Sequence, residues 1–169
     1  MKICMIGTGY VGLVSGTCFA DIGHQVYCVD KDVSKINKLN SGISPIYEPG
    51  LDELIKKNYK AKRLYFTSDL KKAITLSDLI FICVGTPNIK GSLKVDLSFV
   101  LKCTKEILSI TKKKKIIVTK STVPVGTGDQ IEKIIKKKRK IFSVISNPEF
   151  LREGEAIRDF RYPDRIVIG

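Results

Sequence analysis

Residues 2–30 read KICMIGTGYVGLVSGTCFADIGHQVYCVD, and the reading of this stretch decides the fold. An apolar run at 3–6 leads straight into Gly7-Thr8-Gly9-Tyr10-Val11-Gly12. A helical pattern follows over 10–22, then a second strand-like run over 25–29, then Asp30. Three glycines at G-x-G-x-x-G spacing arise by chance, but a strand before them and a helix after them are what a phosphate-binding turn requires. The first glycine permits the tight turn, the second lets backbone approach a pyrophosphate, and the third lets helix pack on strand. The helix N-terminus then offers aligned N–H groups to the phosphates. Asp30 stands 18 residues beyond Gly12, where a carboxylate accepts ribose hydroxyls and repels a 2′-phosphate. This predicts NAD rather than NADP, with Lys31 next door softening the exclusion. A glycine-rich turn beside a surface aspartate is the plainer alternative.

The same alternation continues outward. Strand-like runs are expected at 2–6, 25–29, 64–67, 79–84, 115–119, 142–146 and 165–168, several rich in Ile and Val without polar alternation. That pattern suits parallel strands covered on both faces. Helical patterns fall between them at 10–22, 33–41, 51–57, 69–75, 97–111 and 128–137. The expected fold is α/β: a Rossmann-like, doubly wound, mostly parallel sheet forming a single domain over residues 1–169. Two irregular stretches, 41–50 with Pro45 and Pro49 and 88–94 with Gly91, read as surface loops.

With 169 residues and 43% hydrophobic content, the chain is long enough to bury a core without staples, and its composition excludes a disordered class. No apolar run approaches the ~20 residues of a membrane helix. The run at 3–6 is too short for a signal-peptide core and lacks a small-residue cleavage site, which predicts a cytoplasmic protein and no membrane partner. Cys4, Cys18, Cys28, Cys83 and Cys103 are odd in number and show no C-x-x-C spacing, so they read as small buried hydrophobes and no metal site is expected. The net charge of +13 is mostly lysine, with runs at 112–115 and 136–140 where helical patterns end. Cations there suit the negative end of a helix dipole, and no aromatic residues interleave for base stacking. Solvated faces are expected, and no nucleic-acid partner. His24, at the far edge from the glycine turn, reads as a turn residue.

Polar clusters follow three successive strand-like runs: Val84-Gly85-Thr86-Pro87, Ser121-Thr122-Val123-Pro124-Val125-Gly126, and Asn147-Pro148-Glu149-Phe150-Leu151-Arg152-Glu153-Gly154. Each alone reads as a turn, a cap or a helix start. Together they lie at the carboxyl edge of a parallel sheet, where such folds bind ligands. With the glycine turn, they resemble the UDP-glucose/GDP-mannose dehydrogenase family across the whole chain. The trailing Asp159-Phe160 and Pro163-Asp164-Arg165-Ile166-Val167-Ile168-Gly169 look most like its UDP-glucose-oxidising branch.

The resemblance implies a four-electron oxidation in which two NAD molecules in turn accept hydrides while a UDP-sugar alcohol becomes a carboxylate, giving UDP-glucuronate. It implies that Gly7, Gly9, Tyr10, Val11 and Gly12 hold the pyrophosphate, Asp30 the adenosine ribose, and Lys35 a nearby part of the cofactor. It places Thr86 and Thr122 on the nicotinamide side, and Glu149, Phe150, Leu151, Arg152 and Glu153 against the sugar nucleotide, with Glu153 also approaching the cofactor. Thr122 and Glu153 are the catalytic candidates: a hydroxyl can position water, and a carboxylate shielded from solvent can exchange protons near neutrality. Arg152 is a candidate partner for phosphate or for Glu153. The family's nucleophilic cysteine, with a lysine, an asparagine and an aspartate, lies in segments that these 169 residues do not contain. The chain is thus expected to bind NAD without turnover. The longer protein is expected to be a homodimer and this chain a monomer. A noncatalytic NAD-binding module, a nucleic-acid binder, and the equivalent domain of a GDP-mannose or UDP-N-acetylmannosamine dehydrogenase remain the other readings.

Overall fold

The two periodicities resolve into six strands and seven helices in the computed structural model, which describes residues 1–92, 94–137 and 142–169. In chain order these are β1 (Lys2–Ile6), α1 (Tyr10–Asp21), β2 (Gln25–Val29), α2 (Val33–Asn40), α3 (Leu51–Lys60), β3 (Leu64–Thr67) and α4 (Leu70–Leu76). They continue with β4 (Leu79–Ile82), α5 (Ser98–Ile110), β5 (Lys115–Thr119), α6 (Thr127–Lys137), β6 (Phe142–Ser146) and α7 (Ala156–Arg161). The sheet runs β3-β2-β1-β4-β5-β6 with every neighbouring pair parallel. The strand order reverses between β1 and β4, so a crevice opens beyond their carboxyl ends.

Strand β1 shows why the apolar runs lack polar alternation. Ile3 and Met5 pack with α1, α2 and α3 on one face, while Cys4 and Ile6 pack with α4, α5 and α6 on the other. All four are buried. Helix α2 begins at Asp32, whose carboxylate accepts the Ser34 and Lys35 N–H groups, and Asp69 caps α4 through the Lys72 N–H. Helix α1 differs: Gly9 is its N-cap and no side chain caps it.

Several expectations need correction. The fourth strand stops at Ile82, not at 84: Cys83 still donates to the Ile6 carbonyl at 2.8 Å, and beyond it the Cys83 carbonyl and the Val84 N–H lie against Gly7 of the glycine turn. No strand forms at 165–168; there Ile166 and Ile168 are about 70% exposed (69% and 70%). Gly169 exchanges two backbone bonds with Ser146, and the Val167 carbonyl accepts from the Asn147 side-chain amide at 2.9 Å, so no ladder builds up along the segment. Helix α7 was not expected, since six residues carry too little periodicity. Of the two basic runs, 112–114 are exposed before β5, but Lys115 is buried as its first residue, with its ammonium on the Thr75 and Ser77 carbonyls; Lys138, Arg139 and Lys140 lie outside the described residues, as does Leu93 of the 88–94 loop.

The tightest joint in the fold is between β1 and α1. Gly7 has φ +102°, and a Cβ on Gly12 would sit 2.0 Å from the Gly7 carbonyl oxygen. That neighbour is backbone and cannot swing aside. Gly12→Ala is therefore expected to lower stability by roughly 1–3 kcal/mol as an overpacked site, read as a lower midpoint in urea.

Candidate functional site

The turn between β1 and α1 is bound to the end of β2 through one carboxylate. Asp30 Oδ2 accepts the Thr8 N–H at 2.9 Å and the Thr8 hydroxyl at 2.8 Å, and lies 3.3 Å from Lys35 Nζ. Its Oδ1 accepts the Asp32 N–H at 3.1 Å. Burial works against the charge, but the Thr8 and Asp32 N–H groups, the Thr8 hydroxyl and the Lys35 ammonium outweigh it and hold the carboxyl below its ordinary range. A carboxylate offers about four acceptor positions, so the protein's own donors leave room chiefly on Oδ1. One further donor fits there unless Thr8 or Lys35 yields. Lys31 lies 5.5 Å over the Phe99 ring rather than beside Asp30.

The residues present fit a dinucleotide. A Cβ built on Gly9 meets nothing within 4 Å, so the backbone at the start of α1 faces open space. The uncapped first turn of α1 carries N–H groups without intrahelical partners. Val11 is half-buried against the core at the same turn. The Tyr10 hydroxyl donates to Glu48 and accepts the Gly154 N–H at 2.9 Å, reaching toward the 149–155 segment. Burial, then the bond to Glu48, pushes that phenol up to about 12, so it stays a donor throughout the neutral range.

Across the crevice, the loops after β4, β5 and β6 meet. The Thr86 hydroxyl donates to the Thr122 carbonyl at 2.8 Å, and the Thr122 hydroxyl lies 3.4 Å from Glu149 Oε1. Glu149 Oε2 accepts the Leu151 N–H at 2.8 Å, which fixes the carboxylate's orientation. Beneath them Lys120 is buried and donates to Asn147 Oδ1 at 3.2 Å; burial pulls its ammonium below the ordinary lysine range, with Cys83 and Glu149 acting against that pull. Thr86, Thr122 and Glu149 are thus brought together, and Phe150 is exposed beside them.

Glu153 is not brought into that group. It is exposed in the turn before α7, so the shielding that would suit proton exchange is not there. Arg152 pairs with Asp159 rather than with Glu153: its Nη2 lies 2.6 Å from Oδ1, and its Nε and backbone N–H both bond Oδ2. That contact holds Asp159 down to about 2. Leu151 and Arg152 also border a cleft of about 810 Å³ on the α1 and α7 side of β4–β6, floored by Phe81, Val118 and Ile145. All five cysteines are free and buried, and burial pushes the Cys18, Cys83 and Cys103 thiols up to about 12.

Sequence reasoning missed Glu48 and Lys120, and it passed over Asn147 inside a motif quoted for other residues. A lysine ending a buried strand was the one legible hint for Lys120.

The profile of the UDP-glucose/GDP-mannose dehydrogenase family, NAD binding domain, matches residues 1–169. The chain belongs to that family, as its NAD-binding domain. It is 57% identical over 171 residues to UDP-glucose 6-dehydrogenase of Rhizobium meliloti and 54% identical to UDP-glucose 6-dehydrogenase TuaD of Bacillus subtilis. These alignments cover 100% and 99% of this chain but only 39% and 37% of those proteins, so the chain spans about two fifths of their length. A ternary complex of GDP-mannose dehydrogenase from Pseudomonas aeruginosa superposes with a TM-score of 0.94 at 40% identity, over 100% of this chain and 41% of that one. Among the described residues no helix is long and apolar enough to cross a membrane.

Two expected outcomes follow from this geometry. Gly9→Val should leave the fold intact, because its Cβ has open space, yet abolish NAD binding in calorimetry by filling the room the pyrophosphate needs. Asp30 is a carboxyl with a depressed folded pKa, so its stabilisation is present above its unfolded value of 3.8 and lost as pH falls through the folded one. The denaturation midpoints of wild type and Asp30→Asn should accordingly converge as pH drops below 3.8.

Proposed function

We propose that residues 1–169 form one domain that serves as the NAD-binding part of a UDP-glucose 6-dehydrogenase, an enzyme oxidising UDP-glucose to UDP-glucuronate with two NAD. The observation that carries this reading is the joining of Thr86, Thr122 and Glu149 at the carboxyl edge of the sheet, facing the glycine turn and Asp30. The higher identity to two UDP-glucose 6-dehydrogenases than to a GDP-mannose dehydrogenase supports UDP-glucose within the family.

In this reading Gly7, Gly9, Tyr10, Val11 and Gly12 form the pyrophosphate turn, Asp30 and Lys35 its adenosine end, and Thr86 and Thr122 the nicotinamide side. NAD bound there supplies the hydride acceptor. The residues of this chain orient and move protons. Glu149, fixed by the Leu151 N–H and 3.4 Å from the Thr122 hydroxyl, forms with Thr122 a pair able to bond one water or sugar hydroxyl jointly. Lys120 supplies positive charge beneath that pair. Glu149 to Glu153 face the sugar nucleotide, and Glu153 becomes a catalytic group only if a further segment covers it. A covalent step on sulfur needs an accessible thiolate, and five buried cysteines do not provide one. The chain by itself should therefore bind NAD without oxidising sugar. Cytoplasmic location and a homodimeric longer protein belong to the same reading; unpaired, buried thiols suit a reducing compartment.

The test is stoichiometry. A longer protein carrying this domain should form two NADH for each UDP-glucose consumed and far less with GDP-mannose or UDP-N-acetylmannosamine. One NADH per sugar, or a preference for another sugar nucleotide, would overturn the assignment.

A further inference from the structure

The loop before α3 holds a carboxylate that the proposed reaction does not use. Glu48 is only 6% exposed, and its four bonds come from neutral donors on two distant elements. Its Oε2 accepts the Tyr10 hydroxyl and the Gly154 N–H at 2.8 Å; its Oε1 accepts the Ala156 N–H at 2.9 Å and the Ile157 N–H at 3.4 Å. Tyr10 is the first residue of α1, directly after Gly9. Ala156 and Ile157 open α7, Gly154 lies in the turn just before it, and α7 carries Asp159, the anchor of Arg152. A helix of six residues does not hold itself together in water. Helix α7 has no side-chain cap of its own, so Glu48 supplies the acceptors that its first turn lacks.

We propose that Glu48 is a positioning residue that couples occupancy of the dinucleotide turn to the order of the 149–157 segment. The proposal rests on the reading of that turn as the NAD site. Phosphate on the first turn of α1 restrains the backbone of Tyr10. The Tyr10 hydroxyl passes that restraint to Glu48, and Glu48 passes it to the amides at 154, 156 and 157. The neighbouring Glu149 and Arg152, already held by the Leu151 N–H and by Asp159, are then held more firmly for the sugar nucleotide when cofactor is bound. Coupling of this kind is reciprocal: ligand on the 149–153 side tightens NAD to the same degree.

Amide hydrogen exchange of the 169-residue chain, with and without saturating NAD, tests this. NAD should slow exchange at Gly154, Ala156 and Ile157 in the wild type by about tenfold, within the usual range of site-to-site coupling. In Glu48→Gln the amide turns a donor toward donors, so exchange there should rise and the NAD-dependent ratio fall to near one. A purely structural role would speed exchange with and without NAD alike and leave the ratio unchanged, which would overturn the proposal. If Glu48→Gln does not fold, Tyr10→Phe removes the hydroxyl alone, keeps the bonds from Glu48 to α7, and should equally erase the ratio. Protection of 7–12 by NAD without protection of 154–157 in the wild type would refute the coupling. No protection at 7–12 would instead refute the cofactor site itself.

Discussion

The approach of α1 to β1 at Gly7 and Gly12 is the constraint on which the rest of the molecule depends. No side chain fits between the Gly7 carbonyl and residue 12, and a Cβ on Gly7 would lie 2.5 Å from the Cys83 carbonyl oxygen. Backbone therefore packs on backbone at the point where β1, α1 and the end of β4 converge. That contact sets the direction in which α1 points. Its uncapped N-terminus is left facing the gap where the strand order reverses, with Asp30 tied to the same turn through Thr8.

Charge is then arranged at two depths around this gap. Near the turn, Asp30 is stabilised by N–H groups, a hydroxyl and a lysine, so its charge survives partial burial. Farther across, Glu149 sits above the buried Lys120 and beside Thr122. Glu48 ties the first residue of α1 to Gly154 and the start of α7, and it is satisfied by neutral donors rather than by a cation. An arrangement with negative groups at fixed positions and amide donors between them suits ligands that carry both phosphates and hydroxyls.

The layered fold was legible in the sequence because it rests on local pattern. Strands 2–6, 25–29 and 115–119 stand out because both faces are covered, and α6 because of its periodicity, whereas α1 is buried nearly all round and is marked instead by the glycine turn that opens it. What escaped the sequence depends on contacts across the chain. Glu48 sits alone in a proline-flanked loop, and its burial is decided by amides 106 residues away. Glu153 and Arg152 are adjacent in a motif, but the Gly154 turn (φ +86°) leaves Glu153 in solvent while Arg152 finds Asp159 in α7. The apolar residues at 166–168 carry a strand's composition, yet a strand exists only where a neighbour completes its ladder.

The central claim is that NAD occupies the crevice between the carboxyl ends of β1 and β4. Backbone amide chemical shifts during an NAD titration of the 169-residue chain test it most directly. Perturbations should concentrate on residues 7–12, 30, 84–87 and 121–126, with NADP producing much weaker changes at the same concentrations. Perturbations confined to other parts of the surface, or none at saturating NAD, would contradict it.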